Sequence, residues 1–206
     1  MTLLEDTLRK ENLWSVREAR RRGDLAAVRA ADAELRAADL LALGALADEI
    51  RKVDVGDDVR FCTQATDADR AAYAGVFVPR AGKTGFAFLR EVAIARITAE
   101  PGACVRVDWD DAGFELSQVG LGFGANEIWG ALANKRGLPI LDEEMKKVKG
   151  EGMVSLQALK RRELTKLLSY VGRKVVFITG SGMLEVQTAD ARLLESTSSE
   201  GVPHAQ

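Results

Sequence analysis

VRVDWDDAGFELSQVGLGFGANEIWG, residues 105–130, alternates structural signals in an order that points to one fold class. Its first residues belong to the apolar run ACVRVDW, residues 103–109, which reads as a strand. A polar bend follows, then a helical run carrying Phe114, Leu116 and Val119 that Asp111 is placed to cap, then a second strand in FGANEIWG. Strand, helix, strand in this order implies βαβ units and a mainly parallel sheet. Gly120, Gly122 and Gly124 superficially suggest a dinucleotide fingerprint. No strand closely precedes them and no long new helix follows, so close packing at the handover from helix to strand is the better reading.

The same alternation extends in both directions. Upstream, Val59, Phe61 and Thr63 in VRFCTQ point one way, as in a strand. AYAGVFVPR is nearly continuously apolar and suits a strand covered on both faces. FAFLREVAIARITA then places Phe86, Leu89, Ala93 and Ile97 on one helical face. AGKTG between them lacks the first glycine of a phosphate-binding loop, where Phe77 stands, and Pro79 removes an amide such a loop uses. Downstream, LDEEMKKVKGEGMVS reads as an exposed loop or frayed helix. Ser155 caps a helix with Leu156, Leu159, Leu167 and Val171 as its buried face, ended by Gly172. KVVFIT and MLEVQT flank Gly180, Ser181 and Gly182 as a hairpin.

Residues 1–53 read as helices. Thr2 and Glu5 have capping-box spacing, Asp24 and Asp39 stand before helical runs, and Leu43, Leu46 and Ile50 share a face. Arg17, Arg20, Arg21 and Arg22 read as a solvated helix end whose charge complements the helix dipole before Gly23. The expected organisation is a helical segment over 1–53, an α/β domain over 54–190 and a mobile tail over 191–206.

Composition narrows the function. With 47% hydrophobic and 29% charged residues the chain is a globular type, and no apolar run approaches the roughly 20 residues of a membrane span. MTLLEDTLRKEN carries acids where a secretory signal has a basic start, which predicts a cytoplasmic location. A net charge of −2 gives no global reason to expect nucleic acid. The sole histidine, His204, leaves no triad within the fold and no multi-histidine metal site. Cys62 and Cys104 have no zinc or redox spacing and read as buried thiols.

Two clusters are candidates for binding. Asp108, Trp109, Asp110 and Asp111 close a strand, and C-terminal strand ends face the ligand side of parallel α/β folds. The alternative is that the aspartates cap the next helix and Trp109 fills the core. Asn126, Glu127 and Trp129 take the analogous place one unit later, on the same expected rim. No nucleophile with an adjacent base is visible.

Several segments resemble a known family. Residues 39–61, DLLALGALADEIRKVDVGDDVRF, are similar to the leading helix and first barrel strand of the radical S-adenosylmethionine enzymes of the futalosine route to menaquinone and of deazaflavin-cofactor synthesis. FLREVAIARI, residues 88–97, resembles their penultimate barrel helix, and LKRRELTKLLSYVGRKVVF, residues 159–177, the helix and strand that follow the barrel. In residues 105–130, Trp109, Gln118, Gly124, Ala125 and Asn126 match the family pattern, with Glu127 where aspartate is usual. The family holds a 4Fe–4S cluster on a CxxxCxxC loop, which binds S-adenosylmethionine through an open iron. Here Cys62 stands alone before TQATDADRAAYAG, and residues 54–179 are too few for a barrel of about 250 residues.

The resemblance therefore implies an α/β fold built as a partial (β/α) barrel or an open, mainly parallel sheet, with an N-terminal helical segment. Neither the cluster nor S-adenosylmethionine is expected. The site implied is Asp108, Trp109, Gln118, Asn126 and Glu127, holding a small aromatic or nucleoside-like molecule or a partner protein. Uncovered strand edges imply a homo-oligomer or a heterocomplex. The expected function is a non-catalytic accessory protein. The alternatives are a subunit of a menaquinone-pathway enzyme whose cluster comes from a partner chain, and a structural interaction module.

Overall fold

A computed structural model describes residues 2–141, 144–170 and 172–185. The expectations for Val171, for residues 186–188 of the last hairpin, for His204 and for the 191–206 tail lie outside the described residues.

Five helices come first: α1 (Leu3–Lys10), α2 (Trp14–Arg21), α3 (Leu25–Ala30), α4 (Asp32–Ala37) and α5 (Leu40–Val55). Local chemistry sets where they start. Thr2 and Glu5 close a capping box, Asp24 accepts from the Ala27 amide, and Asp39 accepts from the amides of Leu41 and Ala42. Asp39→Ala is expected to cost about 1 kcal/mol. That is a fall of about 2–4 °C in the thermal midpoint of a chain this size, readable by circular dichroism.

The arginine cluster is not a solvated end. Arg17 is bonded to Glu49 at 2.6–3.1 Å and Arg20 to Asp54 at 2.6 Å, so both clamp α2 onto α5, while Arg21 and Arg22 remain exposed. The carboxylates lie more than 30 residues downstream, beyond what helix-end reasoning sees.

The sheet follows, with β1 (Asp58–Cys62), α6 (Asp67–Ala71), β2 (Val76–Phe77), α7 (Gly85–Thr98), β3 (Val105–Asp108), α8 (Trp109–Ala112), α9 (Phe114–Leu121) and β4 (Glu127–Trp129). Then come β5 (Met145–Val148), β6 (Gly152–Ser155), α10 (Leu156–Ser169) and β7 (Lys174–Phe177). The fold is mixed α/β, with a five-stranded, all-parallel sheet in the order β2-β3-β4-β1-β7. One face is apolar. Val59, Phe61, Val105, Val107, Ile128 and Phe177 pack there beneath side chains of α7, α9 and α10. No helix among the described residues is long and apolar enough to cross a membrane.

Four local expectations change. β2 is a two-residue edge strand, ended by Pro79, with Phe77 39% exposed; it is not covered on both faces. Helix α7 buries Phe88 and Val92 and leaves Phe86 77% exposed, because it lies between the sheet and the N-terminal helices. With cores on two sides it has no single apolar stripe to read. On α10 the core-facing residues are Leu164 and Leu168, while Leu167 turns outward. Residues 145–155 form an antiparallel hairpin rather than a loop, with Lys147 opposite Met153 and Val148 opposite Gly152. Three lysines in MKKVKGEGMVS, residues 145–155, had obscured its two-residue alternation.

Candidate functional site

Strand alternation puts a second set of side chains on the face of the sheet opposite α7, α9 and α10. Arg60, Arg106 and Glu127 are neighbours across the strands, as are Cys62, Trp129 and Asp108 one step further along. Glu127 is buried, accepts from Arg60 Nε at 2.9 Å and from Trp129 Nε1 at 2.7 Å. Asp108 is paired with Arg70 and lies 3.0 Å from Arg106 Nε. The Arg106 guanidinium stands 4.2–4.3 Å from the ring centres of Tyr73, Phe77 and Trp129, so three π faces share the charge with Asp108. Arg106 Nε and Nη1 and Asp108 Oδ1 are buried without a hydrogen bond.

Burial governs the protonation here. It pushes the Asp108 carboxyl above its usual range against the pull of Arg106 and Arg70. It raises the Cys62 thiol, the Cys104 thiol and the Tyr73 hydroxyl in the same way. Neither thiol nor the Tyr73 hydroxyl is thereby made a nucleophile near neutrality.

The chain itself covers this face. Tyr73 meets Trp129 edge-on at 5.1 Å. From the other side, residues 178–185 turn back, Ile178 bridging Leu184, and Gly182 O accepts from Arg60 Nη2 at 2.8 Å. Gly180 sits so close to the Asp69 carboxylate that a Cβ would collide with it. Arg161 on α10 joins Glu185 to Thr63. The two cover segments thus meet over the sheet.

The five residues expected on one rim are spread over the domain. Asp108 and Trp109 do stand at the C-terminal end of β3. Trp109 donates from Nε1 to Ala131 O at 3.3 Å and packs against Phe61 and Phe114; Gly130 has no room for a Cβ beside it. Asn126, however, precedes β4, and Glu127 begins it, about 7 Å along the strand from Trp129. Asn126 Oδ1 accepts from Arg96 Nη2 at 2.6 Å and from the Val105 amide at 2.8 Å, so it ties β3 to β4. Gln118 is half-buried on α9. Asp111 does not cap α9, whose N-cap is Gly113; it accepts from the Arg80 amide at 2.6 Å instead.

The handover glycine behaves as expected. At Gly124, with φ +100°, a Cβ would come within 2.7 Å of Arg96. Sequence reasoning missed Arg70, Tyr73 and Arg106. The one available signal was the alternation of Arg106 and Asp108 within an apolar strand.

The residues present do not fit an iron–sulfur cluster. Four and seven positions after Cys62, where CxxxCxxC would supply its other thiolates, stand Thr66 and Asp69. They cap α6 together: Thr66 Oγ1 accepts from the Asp69 amide at 3.1 Å, and the Asp69 carboxylate accepts from the Thr66 amide at 2.8 Å. Cys104 precedes β3 while Cys62 ends β1, about 13 Å apart along the strand direction.

No family model, curated protein or solved structure matches the chain. Open space is concentrated along α10. Two cavities of about 570 and 500 Å³ share Lys160 and Glu163 and form one trough. Trp109, Phe114 and Leu164 line one end; Ile140, Leu156 and Leu159 line the other. Asn126 borders a separate cavity of about 250 Å³ with Arg60 and Cys104.

Proposed function

We propose that the chain is a non-catalytic binding protein, an accessory partner descended from the radical S-adenosylmethionine enzymes it resembles in sequence. The observation that carries this reading is that Asp108, Glu127 and Asn126 are each paired within the chain. Asp108 is held by Arg70 and Arg106, Glu127 by Arg60 and Trp129, and Asn126 by Arg96 and the Val105 amide. Carboxylates that must meet a substrate are left free of such partners or are poised by them near the working pH. Thr66 and Asp69, spent on a helix cap, support the same reading.

A partial barrel agrees with the sheet order. The strand β4, late in the series, lies beside β1, as first and last strands do when a barrel closes, and β7 flanks β1 on its other side. In this reading the covered polar face is the remnant of a barrel interior, now filled by residues 63–75 and 178–185.

Anaerobic reconstitution with iron and sulfide tests the proposal. The expected result is iron well below one cluster per chain and no broad charge-transfer absorbance. Uptake of a stoichiometric cluster that reductively cleaves S-adenosylmethionine would overturn it.

A further inference from the structure

The trough along α10 has an uneven charge around an apolar floor. Leu156 to Leu167 span about 17 Å of helix, and Ile140 forms a buried wall opposite them. Lys135, Arg136 and Lys146 stand around it against Glu144, while Lys160 and Glu163, paired at 3.2 Å, lie on the same face of α10 as the leucines, between the two ends of the floor. The groups around the floor, three cations against one acid, carry +2 in a chain whose net charge is −2.

We infer that this trough receives an acidic amphipathic helix of a partner protein, an assignment that rests on the accessory reading above. A helix laid beside α10 offers apolar residues at i, i+4, i+7 and i+11 over that same length, and its outer edges meet the basic rim. Charge complementarity selects acids on those edges. A lipid surface fits less well, because Glu144 and Glu163 stand among the cations, whereas a helix lying on a membrane carries a basic polar face. The apolar length of the floor also exceeds what a small flat molecule covers.

The test uses the full chain and a fluorescein-labelled helical peptide of about 18 residues, leucines on one face and glutamates on the other, followed by anisotropy. A lysine-for-glutamate version and anionic phosphatidylglycerol vesicles are the comparison arms. The expected result is saturable binding of the acidic peptide at least 30-fold tighter than the lysine version. Lys160→Glu combined with Arg136→Glu weakens it at least tenfold, with the circular dichroism spectrum unchanged, and Leu159→Asp weakens it through the floor.

Equal binding of both peptides, or indifference to the charge reversals, overturns the inference. So does vesicle binding without peptide binding. Competition by a free peptide of residues 186–206 would assign the trough to this chain's own terminal segment, and loss of peptide binding as the chain self-associates would assign it to a second copy. The two readings fail separately: a stoichiometric iron–sulfur cluster sinks the accessory reading whatever the peptide does, whereas absent peptide binding in a cluster-free protein sinks only the trough assignment.

Discussion

Arg96→Met is expected to lower the unfolding free energy by about 3–5 kcal/mol, the range for breaking a buried charge network from one side. Arg96 is fully buried. It donates from Nε to Gly124 O at 2.8 Å, from Nη1 to Ala103 O at 2.8 Å and from Nη2 to Asn126 Oδ1 at 2.6 Å. Desolvation draws its pKa down to about 10 against the pull of Asp54, so it remains charged at neutral pH. Methionine fills similar space but leaves two carbonyls without their donor, and each buried group so stranded costs about 1–3 kcal/mol. It also leaves Asn126 Oδ1 with the Val105 amide alone. Urea unfolding at constant slope measures the loss. A change below about 1 kcal/mol would mean that Asn126 is not held as described, and would restore it as a free binding group.

Asp108 separates two kinds of substitution. Asp108→Ala strands Arg106 among Tyr73, Phe77 and Trp129 without a counter-ion and opens a hole beside Arg70, so a cost of about 3–5 kcal/mol is expected. Asp108→Asn removes the same counter-ion but keeps the shape and an acceptor, so it is expected to cost less than Asp108→Ala. The sign of the pH dependence follows. A carboxyl whose folded pKa is raised contributes stability that is fully present below its unfolded value of about 3.9 and is lost as pH rises through the folded value. The stability of the parent chain relative to Asp108→Asn should therefore fall as pH increases from about 4. A difference that grows with pH would show instead that the two arginines outweigh desolvation.

Local signals in the chain proved reliable guides to local structure. Thr2, Asp24, Asp39 and Ser155 cap their helices because the chemistry of a cap lies within three residues. The parallel sheet was legible from the order of apolar runs. What failed depended on distant partners. Of the stripe expected on α7, Leu89, Ala93 and Ile97 are buried but Phe86 is exposed, because two cores claim the helix, and Asp111 bonds Arg80, 31 residues away, instead of capping α9.

The candidate site shows the same limit. Asp108 and Trp109 were readable as strand-end residues, but not Tyr73, whose loop carries no chemical signature and which reaches Arg106 and Trp129 only through the fold. Asn126 and Glu127 were assigned to the wrong end of their strand because β4 has only three residues, too few for alternation to fix where it starts.

The position of β1 bears on how the chain is made. Arg60 pairs with Glu127 on one side and with Val176 on the other, so β1 finds neither neighbour among the residues synthesised just after it. At about 5–20 residues per second, a ribosome needs about 3–13 s to produce the first of them. For that interval β1 has two open edges and an apolar face bearing Val59 and Phe61. When that interval begins, α1 to α5 are the elements already made, and α7, which packs against them, follows within it. Nascent chains stalled between β1 and β4 are thus the stage most in need of a chaperone, and the stage at which aggregation begins.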